Sequence, residues 1–211
     1  MPAQIWHVPD AIRTGRLVIR NYVLDDVPAM DVVIPANRAH LETFLPWARH
    51  EPVGTARRAE LVESFRRGFA DRETFTFGVF LFDGSYIGGT GLHARIGPDA
   101  LEIGYWVSAD AEGRGYMTEA AAALTQVGLV FAGAGRIEIR CEPANTRSRR
   151  VPERLGFTLV DTRVDTCGGE GREELVEIWE MRADALASTI AGAFPLPGLA
   201  DAQGKEVPWP T

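Results

Sequence analysis

Apolar and polar positions alternate along residues 101 to 107, with Leu101, Ile103, Tyr105 and Val107 on one face and Glu102, Gly104 and Trp106 on the other. That period predicts a strand. Beyond a short polar loop the period changes. Met117, Ala120, Ala121, Leu124, Val127, Gly128 and Phe131 recur at three- and four-residue steps, the spacing of a helix with one apolar face. Gly133 and Gly135 end that helix, and "RIEIRC" alternates again, with Ile137, Ile139 and Cys141 on one side. Strand, helix and strand in this order predict a parallel pair joined by a right-handed crossover.

The remaining chain is read around this unit. Residues 1 to 13 contain Pro2 and Pro9 and are expected to be a loose N-terminal arm anchored by Trp6. Leu17 and Ile19 mark a first strand. Asp25 and Asp26 before Val27-Pro28 predict a helix start, a carboxylate cap followed by proline in the first turn. A short helix is expected over residues 37 to 45, closed by Pro46. A longer one starts near Thr55, with Leu61, Val62, Phe65 and Phe69 on its apolar face and Arg57, Arg58, Arg66 and Arg67 in solvent. "TFTFGVFLF" and "SYIGGTGLH" flank Asp83-Gly84, a strong hairpin signal. Gly97, Pro98 and Asp99 turn the chain into the strand at Leu101. "TLVDTRV" and "ELVEIWEM" flank a loop around Gly168, Gly169 and Gly171 and predict a closing hairpin. From Ala187 the composition shifts to Ala, Gly and Pro, so residues 187 to 211 are expected to be a flexible tail in which Trp209 frays. No internal repeat occurs, and residues 14 to 186 are expected to form one domain.

A chain of 211 residues with 45% hydrophobic content can bury the core of such a domain. The 22 Lys and Arg against 29 Asp and Glu leave a formal charge of −7, which argues against a general nucleic-acid partner and permits attraction to a basic protein or an amine. Two cysteines, Cys141 and Cys167, make no disulfide framework, in keeping with a reducing compartment. No charged leader with a following apolar run opens the chain. The longest apolar segment, residues 120 to 134, is broken by Thr125, Gln126 and two glycines. A cytoplasmic location without a membrane partner is the expectation.

The loop that feeds the central helix, "EGRGYMTEA", carries the candidate chemistry. Gly113 and Gly115 tolerate positive φ and remove Cβ atoms where a ligand could approach. Amides of residues 113 to 118 lack intrahelical partners and face outward at the positive end of the helix dipole, as a phosphate site requires. A G-x-G is also compatible with a plain tight turn. A dinucleotide fingerprint fails, because Thr118 stands where the third glycine belongs. A P-loop fails too, because Tyr116 and Met117 follow Gly115 in place of Lys-Ser/Thr.

What remains resembles the Q/R-x-x-G-x-G/A loop of the GNAT superfamily of acyl-CoA-dependent N-acyltransferases, filled here by Glu112, Gly113, Arg114, Gly115, Tyr116 and Met117. Glu112 departs from the usual Gln or Arg, and Met117 from the usual small residue. Met117-Thr118-Glu119-Ala120 is similar to the RimJ/RimL branch. Asn145, Ser148, Val151, Leu155, Gly156 and Phe157 fit the superfamily's next helix, N-x-x-A/S-x-x-L-Y-x-x-x-G-F. "HLETFLPW" and "TGRLVIR" resemble two further segments of that branch, so residues 14 to 182 are covered.

The resemblance implies an α+β fold with a central, mixed but mostly antiparallel twisted sheet, one parallel strand pair and flanking helices. It implies direct transfer of an acetyl group from acetyl-CoA to an amine, with no metal. The cofactor's pyrophosphate would meet residues 112 to 118, Glu112 through Thr118. Its pantetheine would run beside Trp106 and Val107, where the two central strands splay, and a Val107 amide could hold the developing oxyanion. Asn145 would bond the pantetheine, or serve only as a helix cap. Many superfamily members place a proton-donating tyrosine seven residues after the Asn. Here that position is Pro152, which cannot donate and predicts a helix start near Ser148. Ser148 becomes the candidate donor to the leaving thiolate, or an N-cap, or both. Glu102, Glu142 and, more weakly, His93 and His40 are candidate bases for the amine. Arg147, Arg149 and Arg150 could meet the CoA 3′-phosphate. His40, Phe44, Trp47, Tyr105 and Trp106 would line the acceptor pocket. No strong base is visible, so an α-amine near pKa 7.7–8.0, roughly, fits better than a lysine near 10.4. The acceptor is then a protein N-terminus, as on ribosomal proteins, or a small amine. A non-catalytic acyl-CoA-binding module is the alternative, and the oligomeric state stays open between monomer and homodimer.

Overall fold

The computed structural model describes residues 5 to 166 and 173 to 210. The glycine loop between the last two long strands, with Cys167, lies outside the described residues. Nine strands make one sheet: β1 Ala11–Arg13, β2 Leu17–Asn21, β3 Thr74–Leu81, β4 Tyr86–His93, β5 Ala100–Val107, β6 Arg136–Cys141, β7 Thr158–Thr166, β8 Glu173–Arg182 and β9 Gly198–Ala200. Their order is β7-β8-β6-β5-β4-β3-β2-β1-β9. Among the described residues six α-helices flank it: α1 Val27–Ala36, α2 Arg38–Leu41, α3 Thr55–Ala70, α4 Tyr116–Gln126, α5 Thr146–Leu155 and α6 Ile190–Ala193. Every pairing is antiparallel except β5 with β6. The strand–helix–strand unit read from the periodicity therefore forms the middle of the sheet.

The parallel pair decides where a ligand can go. β5 and β6 stay in register only from Ala100↔Arg136 to Ile103↔Ile139. Past that point each strand follows its outer neighbour. β5 remains paired with β4 as far as Val107↔Gly88, and β6 with β8 as far as Cys141↔Glu177. The sheet opens into a V between Gly104 and Arg140.

Two apolar clusters hold the sheet. The larger packs Leu92, Leu101, Ile103, Ile137 and Ile139 against α4 and α5 through Ala120, Leu124, Val151 and Leu155. The smaller packs Tyr22, Phe80 and Tyr86 against α1 and α3 through Met30, Ile34 and Val62. Four consecutive alanines let α4 lie close on the sheet, and all four are buried. The Asp83-Gly84 hairpin forms as expected between β3 and β4.

Four expectations need correction. Arg58 is not solvated. It is buried and pairs with Glu51 at 2.5 Å and Asp31 at 3.1 Å, tying α3 to α1. The helix expected over residues 37 to 45 is a single turn, α2, followed by a 3₁₀ turn at Pro46–His50. The arm does more than anchor Trp6, because β1 extends the sheet. Residues 187 to 210 do not splay from the domain: β9 adds to β1, and the Trp209 ring stands perpendicular to Phe131 at 6.1 Å while its Nε1 donates to the Pro197 carbonyl. Gln126 completes that docking by donating to the carbonyls of Ala191 and Phe194. The polar residue that interrupts the apolar stretch is the one that holds the C-terminal segment.

Candidate active site

The start of α4 is built open. Gly113 and Gly115 take φ of +71° and +77°, and Gly115 is the N-cap residue with no side chain closing the helix. The first backbone bond runs from the Glu119 amide to the Gly115 carbonyl. The amides of residues 113 to 118 meet no protein acceptor among the described residues, so six donors gather at the positive end of a buried helix. A Cβ at Gly113 would meet nothing within 4 Å. Unsatisfied amides in free space fit an anionic group of pyrophosphate size.

A cavity of about 640 Å³ runs from this loop into the V of the sheet. Gly113, Gly115, Tyr116, Met117 and Thr118 line one end, Ile103 to Val107 its floor, and Asn145, Arg147, Ser148 and Arg150 the opposite wall. The Ser108 amide bonds back to Ile87 on the β4 side. Successive amides of a strand alternate in direction, so those of Tyr105 and Val107 point the other way, into the gap that β6 has left. The splayed strands thus leave the Tyr105 and Val107 amides facing an open gap.

α5 begins differently from the sequence reading. It starts at Thr146, two residues before Ser148, and Asn145 is the cap: its Oδ1 accepts the Ser148 amide at 3.1 Å. Pro152 sits inside the helix. Ser148 is therefore not an N-cap, and its hydroxyl lies on the cavity wall. Tyr105 reaches it from β5, with Oη 3.0 Å from the Ser148 carbonyl and 3.1 Å from its Oγ. Burial raises the Tyr105 pKa well above that of an ordinary phenol.

That contact separates the expected aromatic wall. Tyr105 lies on the α5 side, while Trp106, one residue on, faces α1 and α2. Trp106 packs edge-on to Tyr86 at 5.8 Å and to Trp47 at 6.1 Å. Phe44, His40 and Trp106 line the cavity. Trp47 stands behind Trp106 and supports it without reaching the cavity wall. His40 and Glu112 are joined, Nε2 to Oε1 at 3.3 Å, and the other Glu112 oxygen meets Arg147 at 2.8 Å. The carboxylate that replaces the usual Gln or Arg thus ties the loop to α2 and α5 across the mouth. Arg149 turns away, to Glu177 at 2.7 Å.

Of the two leading base candidates, Glu142 lines the cavity, while Glu102 and the weaker candidate His93 are constrained. Glu102 lines the cavity but is clamped by Arg95, Nε to Oε2 at 3.0 Å and Nη2 to Oε1 at 2.5 Å. The guanidinium thus engages both carboxylate oxygens. His93, across the ladder from Glu102, has its pKa lowered to about 4 by burial and by nearby Arg95, against a smaller opposing effect of Glu102. His93 is a weak base.

Sequence reasoning missed the support beneath the glycine loop. Glu119, buried in the first turn of α4, accepts from Thr14 Oγ1 at 2.6 Å, the Arg16 amide at 2.9 Å and Arg16 Nε at 2.6 Å. Arg16 also donates to the Arg114 carbonyl at 3.0 Å and lies over the Tyr116 ring at 4.8 Å. The signal was present as two separate resemblances, "TGRLVIR" and "MTEA", with nothing in the chain to say that they touch.

Among the described residues no helix is long and apolar enough to cross a membrane, and no group of three His, Cys, Asp or Glu side chains is set to hold a metal ion. The acetyltransferase (GNAT) domain family matches residues 16 to 158. A curated relative, YdaF of Bacillus subtilis (strain 168), described as a candidate ribosomal N-acetyltransferase, is 31% identical over 143 residues, 67% of this chain and 77% of that protein. The structure of Mycobacterium smegmatis RimJ with CoA-disulfide superposes with a TM-score of 0.75 at 21% identity, covering 88% of this chain and 92% of the other. RimL, a ribosomal alpha-N-protein acetyltransferase solved with coenzyme A, superposes at 0.73 and 23% identity, covering 82% and 99%. An uncapped glycine-rich helix start, a split parallel pair and a family match spanning both lead to one assignment: the chain belongs to the GNAT acetyltransferase family and is RimJ/RimL-like within it.

Proposed function

We propose that this protein acetylates the α-amine of a protein N-terminus, a ribosomal protein being the first candidate, with acetyl-CoA as donor and in the cytoplasm. Acetyl-CoA supplies the activated acetyl group as a thioester. The observation that carries the reading is the set of unpartnered amides from residue 113 to 118 opening into the gap between β5 and β6. Those amides would hold the pyrophosphate, with Arg147 and Arg150 at the rim for further phosphate. The Val107 amide would polarise the thioester carbonyl; one such donor is worth about 10²–10³ in rate. Asn145 holds the first turn of α5 so that the Ser148 hydroxyl faces the gap and can protonate the leaving sulfur.

The choice of acceptor follows from how two of the candidate bases are held. Glu102 is held by Arg95 and His93 is kept neutral by burial, so an amine that is partly neutral at working pH is favoured. An α-amine meets that condition and a lysine does not. The name of YdaF and of the RimL structure agree with an α-amine on a ribosomal protein. Thiol release from acetyl-CoA with N-terminal peptides, N-blocked lysine peptides and small amines tests this. Turnover is expected with free N-termini. Acetylation of lysine side chains alone overturns the acceptor, and CoA binding with no release by any amine favours a binding module.

A further inference from the structure

The third residue of α5 has a carbonyl without its usual partner. In a continuous helix the carbonyl of residue 148 accepts the amide of residue 152. Pro152 has no N–H, and its ring crowds the carbonyl four residues back. Tyr105 Oη is 3.0 Å from that same oxygen and 3.1 Å from Ser148 Oγ, and both side chains line the cavity. One hydroxyl, carried on the strand that forms the cavity floor, thus reaches the proline-created gap in the helix and the side chain expected to protonate sulfur.

We propose that Tyr105 is a positioning residue for Ser148: it takes the carbonyl that Pro152 leaves unbonded and, from that fixed point, holds Ser148 Oγ toward the gap between β5 and β6. This rests on Ser148 being the acid of the proposed reaction. In the resting site Tyr105 donates to the carbonyl, and Ser148 Oγ–H has Tyr105 Oη as its acceptor. During transfer the amine nitrogen bonds to the acetyl carbon. Ser148 Oγ gives its proton to sulfur as the carbon–sulfur bond breaks with its electron pair passing to sulfur. Ser148 regains a proton from water, and the amine loses one to water. Tyr105 keeps its own proton throughout, consistent with the burial that holds the phenol neutral. Pro152, which removes the usual tyrosine from α5, also creates the acceptor that recruits a tyrosine from β5.

The proposal separates from a purely structural role because Pro152→Ala restores the missing amide. Four variants are compared, Y105F, P152A, Y105F/P152A and S148A, by kcat and KM for acetyl-CoA, by calorimetric CoA affinity and by melting of the ligand-free protein. Y105F is expected to melt roughly 2–4 °C lower, because it leaves the carbonyl bare. It should lose about tenfold or more in kcat, with KM and CoA affinity within about twofold. In Y105F/P152A the restored amide of residue 152 takes the carbonyl, so melting recovers while kcat stays about tenfold below P152A. If the double variant regains the kcat of P152A, Tyr105 only fills a helix vacancy and the proposal falls. If S148A keeps full kcat, the acid assignment falls and the positioning role with it. An impaired S148A beside a fully active Y105F/P152A overturns the positioning role alone.

Discussion

Two helices begin on opposite walls of the same cavity, and their first turns are built in opposite ways. α4 opens on Gly115 in the left-handed conformation, with no side chain over its amides. α5 opens on Asn145, whose Oδ1 accepts the Ser148 amide. A side chain caps the second, and none closes the first. The difference shows how a protein leaves one helix dipole open and closes another: it withholds the cap from one helix and supplies it to the other. The uncapped start loses the roughly 1 kcal/mol that a cap is worth. Buried packing along α4 and the Glu119–Arg16 clamp offset that loss.

Closing the open start gives the largest effect. Gly115→Val places a β-branched residue at φ +77°, a strain of about 1–3 kcal/mol that displaces the amides. CoA affinity measured by calorimetry should fall roughly 10- to 100-fold. Affinity within twofold of the wild type would mean that the pyrophosphate does not sit there. Opening the closed start costs less. Asn145→Ala should destabilise the protein by about 1 kcal/mol in denaturant unfolding, and Asn145→Ser should recover most of it. No change in the alanine variant would show that the cap does not stabilise α5. The smallest effect is expected from the residue that couples the two walls. Glu112 lies at the open start and pairs with Arg147 in the first turn of the closed one. Glu112→Gln removes a negative charge beside an anion site and frees Arg147, so CoA affinity should rise about two- to fivefold at low salt and converge on the wild type at high salt. A fall in affinity would instead make Glu112 a positive contributor to binding.

Local patterns were a good guide where the physics is local. Period-two and period-3.6 hydrophobicity located β5, α4 and β6, and Asp83-Gly84 located the β3–β4 turn, because side-chain alternation and turn geometry depend on near neighbours. Prediction failed where a distant partner overrides a residue's usual preference. An arginine on a helix is normally solvated, but Glu51 and Asp31 converge on Arg58 and make its burial tolerable. An Ala-, Gly- and Pro-rich end is normally loose, but the free edge of β1 offers β9 a ladder and Phe131 offers Trp209 a ring. Pro152 argued for a late helix start, but the Asn145 cap takes an amide of the first turn and the Tyr105 hydroxyl takes the carbonyl that the proline leaves.

From the order of residues alone came the crossover unit, the glycines that keep its helix mouth open, and the family whose motifs they match. These are set by backbone preference and spacing, which each segment carries within itself. Only the folded chain decided that β5 and β6 part after Ile103 and Ile139, that Glu119 reaches Thr14 and Arg16, and that Tyr105 meets Ser148. Each of these joins residues from separate segments. Which partner a strand edge, a carboxylate or a hydroxyl finds is settled by sheet order and packing, quantities that no single stretch of sequence contains.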